Sequence, residues 1–156
     1  MDYIKSLSST TEGDCFLCQA AAAVDPKVKR ELLALWTTEH SLVMINRYPY
    51  ANGHLLVAPK SHKAELSQLT EAEGLDLHVQ TVAAMELLKR AIAAQGFNIG
   101  INVGRVAGAG LPGHVHQHVV PRWGGDTNFM SIVGDLRIVP QAMTQLYDEL
   151  MRIRGT

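Results

Sequence analysis

Residues 114–118 read His-Val-His-Gln-His, and the run continues Val-Val-Pro-Arg-Trp to position 123. Alternation of this kind marks a strand, whose successive side chains leave from opposite faces of a sheet. His114, His116 and His118 therefore share one face, with Val115, Gln117 and Val119 on the other. Three of the chain's seven histidines fall within five positions. A buried structural imidazole is ordinarily a single residue satisfied by a backbone carbonyl, so this face calls for chemistry. It also calls for partner strands beside the run and an apolar layer beneath it.

The remaining pattern supplies both. "SLVMIN" (41–46) and "HLLVAP" (54–59) read as short buried strands joined by the turn-rich "RYPYANG". "FNIGINVG" alternates with Phe97, Ile99, Ile101 and Val103 on one face and Asn98, Gly100, Asn102 and Gly104 on the other. Small residues on a strand face let another group approach the backbone closely. "RVAGAGLPG" (105–113) then leads into the histidine strand to make a hairpin, and "RWGGDTNF" (122–129) reads as a loop.

Helical content is expected from about Gln19 to Leu35, with Pro26 breaking or starting it. A longer helix is marked by the Thr70–Glu73 capping-box pair, an apolar stripe of Leu75, Val79, Val82, Met85, Leu88 and Ile92, and Gly96 as a stop. Met143, Leu146, Tyr147, Leu150 and Met151 stripe a final helix after Pro140, over about 140–154. The fold class is α+β: a mainly antiparallel sheet with helices packed on it.

A chain of 156 residues that is 47% hydrophobic and 19% charged reads as one globular domain over 1–156. Its net charge of −1 offers no basic face, so nucleic acid is not an expected partner. No apolar run reaches the ~20 residues of a membrane helix, and Met1–Thr11 lacks a signal-peptide core. The cytoplasm is the expected location. Cys15 and Cys18, the only cysteines, stand as C-x-x-C, which admits a disulfide, a redox pair or half a metal site; a structural disulfide is the least expected in a reducing compartment.

Geometry separates two roles for the histidines. Positions i, i+2 and i+4 span about 13 Å of strand, whereas a zinc–nitrogen bond is only ~2 Å. One flat strand therefore cannot easily wrap all three around one ion. The alternative divides their work: a central imidazole with one nitrogen held and the other exposed is a nucleophile suited to phosphorus, and its neighbour donates or shuttles a proton.

"HVHQHVV" fits the His-φ-His-φ-His-φ-φ pattern of the histidine triad superfamily, with Gln117 at a normally apolar position. On a flat strand Gln117 points away from the histidine face. "INRYPYANGHLLVAPKSH" resembles that family's N-terminal hairpin, including Gly53-His54 and the terminal "PKSH". "FNIGINVG", the connecting loop and "HVVPRWGGD" follow in the family's order, so the resemblance covers about residues 14–129. "HQHVVPRWGGDTNF" is most similar to the bacterial diadenosine tetraphosphate phosphorylase branch.

That resemblance implies a HIT-like fold whose sheet continues across a homodimer. It also implies cleavage of dinucleoside polyphosphates at the α-phosphate through a covalent nucleotidyl-histidine, with phosphate or water as acceptor. His116 would be the nucleophile and His118 a donor beside the phosphate. Asn46 would hold a ribose hydroxyl, Asn102 would contact the phosphate or its leaving group, and His54 would line the pocket. In several bacterial members zinc is held at positions that here are Cys15, Cys18, His62 and His114. Such a closed Cys₂His₂ set is structural, and no metal is required for the chemistry. One departure stands out: the "AGQ(S/T)" of nucleotide hydrolases in the family is here "AGAGLPG", with Gly110 in place of the glutamine. It keeps open a rival in which the protein is a nucleotide-binding sensor with little turnover; a zinc-dependent hydrolase is a third reading.

Overall fold

The computed structural model describes residues 12–126 and 142–155. Pro140 and the end of the "RWGGDTNF" run, 127–129, lie outside the described residues. Among the described residues, no helix is long and apolar enough to cross a membrane.

The described residues begin with a single 3-10 turn, Glu12–Asp14, followed by two short helices, α1 (Phe16–Ala22) and α2 (Pro26–Glu31). The single helix expected over 19–35 is thus divided. Pro26 occupies the first turn of α2, where its missing N–H costs nothing, and the Asp25 side chain accepts from Lys27 N–H. Leu33 then takes a left-handed conformation, φ 61°, and the chain turns directly into β1 (Ala34–Thr37). Leu35 is therefore a strand residue. Three apolar residues in a four-residue strand were indistinguishable from the end of a helix.

β2 (Ser41–Ile45) and β3 (Leu55–Pro59) follow, buried along their whole lengths. After the long helix α3 (Glu71–Ile92) come β4 (Gly96–Ile101), β5 (Gln117–Arg122) and α4 (Met143–Arg154). The five strands form one antiparallel sheet in the order β1-β2-β3-β5-β4, so the sequence expectation of an α+β antiparallel fold holds. One face packs Val43, Ile45, Leu55, Val57 and Val119 against α3 and α4. The other carries Leu42, Met44, Leu56 and Ala58 under α1. The histidines lie on this second face.

Helix α3 begins as expected: Thr70 Oγ1 accepts from Glu73 N–H and the Glu73 carboxylate accepts from Thr70 N–H. It ends earlier than expected, with Ala93 in the left-handed region at φ 52°; Gly96 instead starts β4. The buried face is also different. Leu77, Thr81, Ala84, Leu87 and Leu88 face the core, while Leu75, Val79 and Val82 are 66%, 48% and 45% exposed. The expected stripe advances mostly in steps of three. Each such step falls about 60° short of a full turn, so the stripe winds across the helix and meets the core only at its C-terminal end. In α4, Leu146, Tyr147 and Leu150 are buried as the pattern required.

Among the described glycines, Gly53 is one that both backbone and packing demand. Its φ is +82°, and a Cβ there would stand 2.5 Å from Ile92 Cδ1 and 3.1 Å from Leu88 Cδ2. It sets the approach of the following residue, His54, to the sheet. Gly53→Ala is expected to lower unfolding free energy by about 2–4 kcal/mol through combined strain and overpacking, measured by urea denaturation. A change below about 0.5 kcal/mol would contradict this role.

Candidate active site and metal cluster

The histidine segment is built by β3. In the register Leu56↔His118 and Val57↔Gln117, continuing outward sets Pro59 opposite Val115. Proline has no N–H to give, and the ladder stops there. The strand proper therefore begins only at Gln117, and of the three histidines only His118 lies within it, a correction to the expected continuous strand. His114, at a bend, and His116 are held instead by the loop after β3: Val115 N–H donates to the Lys63 carbonyl at 2.7 Å. The alternation survives. Gln117 points to the opposite face, where its Nε2–H donates to Thr81 Oγ1 of α3 at 2.7 Å, so it does not stand in for the glutamine absent at Gly110.

Hydrogen-bond partners of fixed character assign the protons. A backbone carbonyl only accepts, so His114 Nε2–H donates to the Pro59 carbonyl (2.8 Å) and His116 Nδ1–H to the His114 carbonyl (2.8 Å). Tyr50 N–H donates to His54 Nδ1 at 3.1 Å. His54 Nε2 therefore carries a proton and donates it to His118 Nδ1 at 2.9 Å. The result is a definite pattern: His116 has a lone pair on Nε2, and His118 has a proton on Nε2. Their ring centroids are 5.1 Å apart.

These imidazoles are neutral near pH 7. Burial pushes His54 down to about 3, helped by repulsion from His118 and His116. Burial likewise lowers His118 to about 4, with His116 adding to it, and lowers His116. A neutral His116 is what a nucleophile requires. Gly100 sits opposite His118 on β4, and a Cβ added there would meet nothing within 4 Å, so the face beside His118 is open to a ligand.

The other expected site residues are placed as follows. Asn46 Oδ1 accepts from Tyr48 N–H in the turn (3.0 Å), and its amide nitrogen lies 3.4 Å from both His54 ring nitrogens. Asn102 follows the Ile101↔Gln117 pair, so the same register brings it level with His116. Its amide donates to the Gly108 carbonyl at 3.5 Å. Gly110 is exposed in the connecting loop. Tyr50 was not anticipated: its ring stacks on His118 at 5.8 Å and lies 4.6 Å from His54. The "PYANGH" spacing carried that signal, since a tight turn must bring residue 50 back over residue 54. The Pro59 and Lys63 carbonyls have no sequence signal, being backbone.

Cys15, Cys18, His62 and His114 converge, their ligand atoms all within 4.8 Å of one another. Cys15 caps α1 and Cys18 lies in its first turn, while His62 comes from the loop after β3. His114 Nδ1 is 3.2 Å from Cys15 Sγ and 3.4 Å from Cys18 Sγ, and His62 Nδ1 is 3.3 Å from Cys18 Sγ. A tetrahedral zinc would separate such atoms by ~3.4–3.8 Å. The Pro59 carbonyl fixes the His114 tautomer that presents Nδ1, as outer partners of metal ligands do. The donor set fits a divalent soft-to-borderline metal.

An antiparallel sheet with α3 and α4 on one face, and α1 beside a row of imidazoles on the other, has the histidine triad fold. The HIT domain family profile matches residues 28–125, and the chain belongs to the HIT domain family. It is 44% identical over 100 residues to the AP-4-A phosphorylase of Mycobacterium tuberculosis, covering 64% of this chain and 51% of that protein. It is 34% identical over 87 residues to the asymmetrical bis(5'-nucleosyl)-tetraphosphatase of Schizosaccharomyces pombe, covering 56% and 47%. The chain thus spans about half the length of these curated relatives. Among solved structures, a zinc-bound histidine triad family protein from Mycobacterium smegmatis superposes with a TM-score of 0.72 at 23% identity, over 93% of this chain and 96% of that one.

The proton assignment has a consequence for pH. Unfolded, His54 and His118 bind protons near their ordinary value of 6.5; folded, they resist to about 3 and about 4. The unfolded state therefore binds more protons below pH 6.5, and stability, whole above it, falls as pH drops toward 4. Urea midpoints measured from pH 7.5 to 4 should fall continuously below 6.5, and His54→Gln should make that slope shallower. An identical slope in the variant would contradict the assignment.

Proposed function

We propose that this protein cleaves dinucleoside polyphosphates at the α-phosphate by transferring the nucleotidyl group to His116. The observation that carries this is the proton pattern of the row, which leaves a lone pair on His116 Nε2 beside a proton on His118 Nε2. In the first step the Nε2 lone pair attacks the α-phosphorus, the P–N bond forms, and the P–O bond to the remaining polyphosphate breaks. His118 Nε2–H donates to a phosphoryl or leaving-group oxygen, and the positive charge that develops on the His116 ring is held by Nδ1–H···O=C of His114. In the second step an oxygen of phosphate or water attacks the same phosphorus, the P–N bond breaks, His116 leaves as neutral imidazole, and the proton of the attacking group passes to solvent. Asn46 contacts the ribose and Asn102 the phosphates, both after local rearrangement of their present hydrogen bonds, while His54 positions His118. The similarity to a phosphorylase and to a tetraphosphatase supports the substrate class.

The four-residue thiol–imidazole cluster is read as a structural zinc site. Bound zinc would cross-link α1, the loop after β3 and the start of the histidine segment; the reacting groups are supplied by the chain itself. Such a thiolate site suits a reducing compartment, the cytoplasm.

Product analysis on diadenosine tetraphosphate decides the reaction. ADP and ATP formed only with added phosphate mark a phosphorylase; AMP and ATP in both conditions mark a hydrolase. His116→Ala should lower turnover by more than about 10³-fold while nucleotide still binds. Retained turnover removes His116 from the role, and binding without turnover in the unaltered protein favours the sensor reading.

We also read the protein as a homodimer. β4 is a sheet edge, and its Ile99 is 45% exposed on the side of the sheet that α3 covers. Leu75, Val79 and Val82 add an outward apolar strip on α3. A twofold mate that pairs β4 with β4 would cover both. Val79→Asp should shift the species seen by analytical ultracentrifugation from dimer to monomer; a monomeric unaltered protein would refute the dimer.

A further inference from the structure

The Cys15–Cys18 pair carries a chemistry that nucleotidyl transfer does not use. The two residues stand three apart across the first turn of α1, Cys15 as N-cap and Cys18 helical. This is the spacing at which C-x-x-C pairs close to disulfides. Their surroundings differ sharply. Cys15 is 0% exposed, whereas Cys18 is partly exposed. Cys18 lines a surface groove of about 480 Å³ together with Ala21, Val24, Lys29, Thr37 and Lys60. The groove therefore gives a small solute an approach to the Cys18 side of the cluster, whereas Cys15 is closed to solvent.

We propose that Cys18 is an oxidant-sensitive modification site, at which hydrogen peroxide converts the Cys15–Cys18 pair to a disulfide and displaces the cluster's metal. In the first step the Cys18 thiolate attacks one peroxide oxygen. The O–O bond breaks, and Cys18 becomes a sulfenic acid as hydroxide leaves. Cys15 thiolate then attacks the Cys18 sulfur, forming the S–S bond and expelling a second hydroxide. The sulfur pair loses two electrons and the peroxide gains them; two protons from solvent complete two waters. With both thiolates consumed, His62 and His114 alone cannot hold a four-coordinate ion, and the metal departs as the divalent cation. The effect reaches the catalytic row along the chain, because the carbonyl of His114 is the acceptor for His116 Nδ1–H. Oxidation is therefore expected to depress turnover reversibly.

The metal half of this inference rests on the zinc reading above, and the test separates the two. The whole protein is purified without chelator, its zinc measured by elemental mass spectrometry, and hydrogen peroxide added stepwise with a chromogenic zinc chelator present. The expected result is one zinc released per chain as two thiols disappear and the mass falls by two hydrogens, both reversed by dithiothreitol and zinc. Disulfide formation in protein that contains no zinc upholds the oxidation site and refutes the zinc reading. Zinc that stays bound, or thiols that persist while methionines oxidise, overturns the proposal and leaves the zinc reading intact. The order of attack is read separately on the unaltered protein as purified, with substoichiometric iodoacetamide. Cys18 should be alkylated at least tenfold faster than Cys15, and equal or reversed rates overturn the assignment of Cys18. No variant has to fold for either measurement.

Discussion

The architecture of the site depends on Pro59 having no N–H. Because of that the β3–β5 ladder ends two residues before it would otherwise, and the backbone of 114–116 is passed to the loop that follows. The released Pro59 carbonyl does not go unpaired; it receives His114 Nε2–H. The Lys63 carbonyl receives Val115 N–H. One strand end therefore orients an imidazole of the Cys/His cluster, and the loop after it holds the peptide between that imidazole and His116.

That loop is in turn held by the start of α3. Ser61 Oγ–H and Lys63 Nζ–H each donate to the Glu73 carboxylate at 2.6 Å, and Thr70 N–H donates at 2.7 Å. These contacts keep Glu73 at about 2, below the usual carboxylate range. One carboxylate thus caps a helix and fixes both residues that flank His62. The capping box was legible as T-x-x-E, but its second task was not. The partners Ser61 and Lys63 are ten or more residues away, and only the packing of α3 on the sheet brings them together.

The histidine row itself was largely readable. Alternation placed three imidazoles on one face, and the resemblance to histidine triad proteins separated His114 from the other two. The tautomers were not readable, because they are set by Tyr50 N–H and by two carbonyls, and backbone groups leave no mark in residue identity. The α3 stripe misled for a related reason. Leu75, Val79 and Val82 are as apolar as Leu77, Leu87 and Leu88, and helical spacing alone does not say which side a sheet will cover. Gln117–Thr81 and Glu73 show the polar contacts that orient the helix, and each is long-range in sequence.

What the sequence by itself determined are the features with a short repeat or a local rule. These are the side-chain alternation at 114–118, the buried runs at 41–45 and 54–59, the capping box at Thr70 and the C-x-x-C pair. Each follows from backbone geometry within a few residues. Tertiary structure alone decided where the histidine strand stops, which helix face is covered, which ring nitrogen bears each proton, and that Cys15, Cys18, His62 and His114 meet at one point. Those outcomes turn on contacts between residues as much as 99 positions apart, and such contacts exist only once the sheet has brought its strands into register.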